Sequence, residues 1–92
     1  MELNRDDYTY TYINTATTTQ VRTGPCRLIR VCVNTVAAGT VGIIDNTSGT
    51  TVNVGQLAAT FVGPQYFGIK LTTGLRIVTA AATDLTVVWT PN

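Results

Sequence analysis

The 92-residue chain has no histidine, and only 12% of its residues are charged. Without imidazole there is no Ser-His-Asp or Cys-His arrangement, and no side chain whose ordinary pKa suits it to general-base work near neutral pH. The two cysteines, Cys26 and Cys32, lie six apart and match no zinc-ligand spacing. Glycine-rich phosphate loops are missing too, since Gly39-Thr40-Val41-Gly42 is far too short for one. Beyond residue 13 the only acids are Asp45 and Asp84. Each adjoins a turn, where aspartate ordinarily hydrogen-bonds its own backbone rather than facing a second acid across a substrate. Catalysis, a metal and a cofactor are therefore not expected.

Other shortages narrow the reading further. No apolar run approaches the roughly 20 residues of a membrane span, and the polar, acidic opening over residues 1–12 does not read as a secretory leader. The longest cationic cluster is Arg27-Leu28-Ile29-Arg30, with no aromatic residue interleaved. A specific nucleic-acid partner is thus not expected, nor is a membrane. In one extended strand Cys26 and Cys32 would share a face about 20 Å apart, beyond disulfide reach. They are expected to be free thiols, as suits a protein made in a reducing cytoplasm. Helical periodicity is absent over any stretch of ten residues or more.

Threonine is what the chain has in abundance: 19 of 92 residues, alternating with aliphatic ones. Thr and Val are β-branched and suit a pleated, half-buried surface. Turn signals fall at Gly24-Pro25, Ala37-Ala38-Gly39, Asn46-Thr47-Ser48-Gly49, Gly63-Pro64, Thr73-Gly74 and residues 81–84. Between them lie seven or eight short strands joined mainly as hairpins. The expected fold is an all-β antiparallel sandwich, jelly-roll-like or immunoglobulin-like. Within the longest apolar run, residues 26–36, strict alternation puts Ile29, Val31 and Val33 on the core face and Leu28, Arg30 and Cys32 on the other. Residues 58–65 read as a longer connection.

Residues 1–13 are expected to form an extended N-terminal arm, and residues 14–92 a single domain. The arm carries Glu2, Asp6 and Asp7 against Arg5, a balance of −2, whereas the remainder carries five cations against two acids, a balance of +3. Tyr8, Tyr10 and Tyr12 share one side of an extended segment. They form either the outer face of an ordinary first strand or an arm laid on a neighbour. Tyrosine suits interfaces by combining apolar area with a polar tip. With Arg5, Asp6 and Asp7, these three tyrosines are the candidate partner-binding residues. Trp89 is expected in the core, since it follows Val87 at strand spacing.

The run from Thr17 through Gly24-Pro25-Cys26 to Val31, the Gly39-Thr40-Val41-Gly42-Ile43-Ile44-Asp45 hairpin, and the closing strands Gly74-Leu75-Arg76-Ile77-Val78-Thr79 and Leu85-Thr86-Val87-Val88-Trp89 together resemble small capsid decoration, or cement, proteins of tailed bacteriophages. The likeness covers roughly residues 15–90 and consists of strands and turns. It departs at Pro25-Cys26, where a small residue, commonly glycine, is expected. The resemblance implies a virion structural protein made in the host bacterial cytoplasm. It would be a homotrimer on the capsid surface, with the major capsid protein as partner. Two alternatives stand beside it: a carbohydrate- or receptor-binding module of a tail fibre, using Tyr66 and Phe67 near Gln65 or the lone Trp89, and a neck or tail-tube protein.

Overall fold

The computed structural model describes residues 8–49 and 53–91. Those residues form eight strands: β1 (Thr9–Ile13), β2 (Thr18–Thr23), β3 (Cys26–Thr35), β4 (Val41–Asp45), β5 (Asn53–Leu57), β6 (Gly63–Leu71), β7 (Gly74–Thr79) and β8 (Asp84–Thr90). They make two four-stranded sheets, ordered β1-β8-β3-β6 and β2-β7-β4-β5. All recorded pairings are antiparallel, and β1:β8, β2:β7, β3:β6 and β4:β5 nest inside one another. That nesting is a single long hairpin wrapped over itself, the jelly-roll form of the β-sandwich. Of the two connectivities the sequence left open, the chain adopts this one. Gly24 (φ 105) turns the chain from β2 into β3, a backbone state glycine adopts without penalty.

The core fills the space between the sheets. It draws Cys26, Leu28, Val31 and Val33 from β3, Leu85 and Val87 from β8, Val41 and Ile43 from β4, and Leu75 and Ile77 from β7. Ile13, Leu57 and Leu71 complete it, with Phe61, Phe67, Ile69 and Trp89 packed against it partly buried. Each fully buried aliphatic side chain contributes on the order of 1.5–3 kcal/mol.

The alternation expected along β3 breaks in its middle. Register slips between Leu28 and Arg30 against both neighbours, in opposite senses. Against β8, Ile29 is an extra residue that reverses which face follows, whereas against β6 the extra residue lies on β6, where Phe67 and Gly68 stand opposite Ile29 alone. Cys26 and Leu28 are consequently buried with Val31 and Val33, while Ile29 lies outside the core cluster. The same bulge separates the two thiols. Cys26 is buried, Cys32 pairs with Thr86 on the outer face, and both are free. Burial pushes the Cys26 thiol above its ordinary pKa.

The N-terminal segment also differs from an arm ending at residue 13. Thr9–Ile13 pairs one-to-one with β8, from Thr9 opposite Trp89 to Ile13 opposite Leu85. The tyrosine segment is therefore a first strand of the sheet. Residues 1–7, with Arg5, Asp6 and Asp7, lie outside the described residues. The connection expected over residues 58–65 is shorter, because β6 begins at Gly63 and runs through Pro64 on a sheet edge, where proline's missing N–H costs no ladder bond.

Candidate functional site

Residues directly opposite one another in antiparallel strands project from the same face. On the outer face of the β1-β8-β3-β6 sheet this sets Tyr10, Val88, Arg30 and Tyr66 in one row across all four strands. A second row holds Tyr12, Thr86, Cys32 and Pro64. A third places Thr90 and Lys70 on either side of Arg27. Tyr10 is 70% exposed, Tyr66 66% and Tyr12 50%, whereas Val88 between them is 9% exposed. The face thus has a covered aliphatic centre with aromatic rings on both flanks.

The polar groups of this face differ in how far they are committed. The Tyr12 hydroxyl donates to Asp84 Oδ2 at 2.6 Å, and Asn34 Nδ2 donates to Oδ1 at 3.1 Å. Hydrogen bonds from Tyr12 and then Asn34 hold the Asp84 carboxyl below its ordinary pKa. The Tyr12 phenol is raised, first by the bond to Asp84 and further by desolvation and the carboxylate's charge. Arg27 Nη1 donates to the Gly68 carbonyl at 3.1 Å. Arg30 and Lys70 have no such bond among the described residues.

The outer face of the other sheet is built differently. There Arg76 Nη1 donates to Gln20 Oε1 at 2.6 Å and to the Thr47 carbonyl at 3.1 Å. Gln20 Nε2 in turn donates to the Arg22, Asn46 and Leu75 carbonyls. This network ties the arginine and glutamine to neighbouring carbonyls, and the face bears no tyrosine, all four lying at positions 8, 10, 12 and 66.

Of the residues singled out from the sequence, Tyr10 and Tyr12 stand on the tyrosine face, and Tyr8 immediately precedes it. Arg30 and Tyr66 join them only through strand pairing, which residue spacing does not carry. Basic and aromatic side chains that are apart in sequence are therefore interleaved in space. Among the carbohydrate-site candidates Tyr66 is exposed, whereas Phe67 and Trp89 pack against the core. Trp89 Nε1 donates inward to Thr11 Oγ1 at 3.2 Å. Asp45 and Asp84 both act at a distance rather than on their own turns. Asp45 accepts from the backbone N–H groups of Thr72, Thr73 and Gly74 at 3.1, 2.9 and 3.2 Å. Among the described residues no three His, Cys, Asp or Glu side chains are grouped to hold a metal ion. Comparison of the sequence with known protein families and with curated proteins returns no match.

Proposed function

We propose that this chain is a virion structural protein that decorates the outer shell of a tailed-phage capsid and bridges its major capsid proteins. The observation that carries the reading is the concentration of exposed tyrosine on one sheet face, in rows with the covered Val88 and with Arg30. Tyr and Arg are the residues most enriched at the energetic centres of protein interfaces. Jelly rolls occur in viral capsid and lectin domains, an analogy of fold alone. The resemblance in strand and turn sequences directs the choice between them to the capsid.

The test is co-sedimentation of the purified protein with shells assembled from the major capsid protein of the virus that encodes it. Saturable binding at a fixed ratio per capsomer, with shells that withstand more heating, is the expected result. Absence of shell binding together with adhesion to host cells would transfer the tyrosine face to the tail-fibre reading.

A further inference from the structure

Four strands edge the two sheets: β1 and β6 in one, β2 and β5 in the other. Three of these edges are interrupted. β2 slips register across Val21 and β5 across Val54. β6 contains Pro64, kinks at Gly68 (φ 62) and carries Lys70. Bulges, edge prolines and edge lysines are features that keep a free strand from pairing with another chain. β1 has none of them. Its five residues stay in continuous register with β8 and include no proline, glycine or charged side chain.

A second observation says what fits this edge. The segment Tyr8-Thr9-Tyr10-Thr11-Tyr12 reads the same in both directions. Laid antiparallel against its own copy about Tyr10, it sets Tyr10 beside its counterpart, Tyr8 beside Tyr12, and Thr9 beside Thr11. Like-to-like complementarity of this kind is what a two-fold contact requires. Paired aromatics across strands are favourable neighbours, and Tyr10 and Tyr12 are the exposed rings such pairing would cover.

We infer that two copies of the chain pair antiparallel through β1, joining their β1-β8-β3-β6 sheets into one continuous eight-stranded sheet around a two-fold axis. The backbone N–H and C=O groups on the open side of β1 are the groups that bond. This arrangement replaces the trimer implied by the phage resemblance, which needs a head-to-tail contact between unlike surfaces. It stands independently of whether the partner is a capsid.

Native mass spectrometry of the full chain is expected to show a dimer. Tyr10→Lys sets two like charges beside each other at the axis, and is expected to give a monomer whose β-type circular dichroism is unchanged. Tyr10→Cys in a Cys32→Ser background places two thiols on opposed residues about 4.5–5.5 Å apart at Cα, within disulfide range. Mild oxidation should convert that variant mainly to a cross-linked dimer. A wild-type monomer or trimer overturns the inference, as does a dimer whose Tyr10→Cys variant fails to cross-link. Should Tyr10→Lys fail to fold, the cross-link decides.

Discussion

The Tyr12 hydroxyl and the Asp84 carboxylate, 72 residues apart, meet at 2.6 Å where β1 lies against the start of β8. The bond ties the first strand to the last on the tyrosine face, and Asn34 from β3 holds the second carboxylate oxygen. Both groups titrate away from their ordinary values, in opposite directions. The Asp84 side contributes stability above the unfolded carboxylate pKa, lost as pH falls through its lower folded value. The Tyr12 side contributes below the unfolded tyrosine pKa, lost as pH rises through its higher folded value. In an ultraviolet titration, the Tyr12 phenol should ionise above pH 10, and Asp84→Asn should bring it down. An unchanged titration in that variant would show that the bond does not form in solution.

Asp45 predicts a second pH effect, at the opposite end of the sandwich. Burial acts to raise its pKa, but the N–H groups of Thr72, Thr73 and Gly74 and the Thr72 hydroxyl outweigh it and hold the carboxyl low. Its contribution is therefore present above about pH 4 and disappears as pH falls through the lower folded value. Asp45→Asn keeps the shape but turns an amide N–H₂ toward donors. A loss of about 1–2 kcal/mol is expected from charge-assisted hydrogen bonds, read by urea unfolding at pH 7 and shrinking toward pH 2.

Gly74 owes its place to space. A Cβ there would meet the Arg22 carbonyl at 2.7 Å, Gln20 Nε2 at 3.0 Å and the Asn46 carbonyl at 3.1 Å. Two of these contacts are backbone, so Gly74→Ala has to move strand β2 or the turn after β4. An overpacking cost of about 1–3 kcal/mol is expected, with Tm lowered by roughly 5–20 °C in a domain of this size. Thermal unfolding of the single variant checks it.

Thr90 gives the converse case. It is fully buried, and among the described residues its hydroxyl has no hydrogen-bond partner. Thr90→Val exchanges an unpaired hydroxyl for a methyl of nearly the same shape. Stability should rise by about 1 kcal/mol, measured by urea unfolding with an unchanged slope.

The sandwich was legible in the sequence because its cues are local. Threonine-aliphatic alternation marks strands, and Gly24-Pro25 and Thr73-Gly74 mark turns, each from neighbouring residues alone. The β3 bulge was not legible. Residues 26–36 look continuous, and the extra residue at Ile29 appears only once Leu28 and Arg30 are aligned with Trp89 and Val88 of β8. That one slip exchanged Leu28 for Ile29 in the core and separated Cys26 from Cys32. Tyr10 and Tyr12 were recognisable from spacing within one segment. Arg30 and Tyr66 were not, because the row they share spans four strands from distant parts of the chain. The acidic side chains were assigned to the right structural class but to the wrong neighbours, since Asp45 and Asp84 bond residues 27–72 positions away.

The central claim, that the tyrosine face is the working surface, is tested most directly by a variant at the edge remote from β1. Tyr66 lies on β6, three strands and about 14 Å from Tyr10 at sheet spacing, so changing it leaves the β1 edge intact. The measurement is shell binding by co-sedimentation of the Arg30→Ala/Tyr66→Ala variant, with circular dichroism confirming its fold. Affinity should fall at least tenfold, about 1.4 kcal/mol. A folded variant that binds shells as tightly as the wild type would contradict the account.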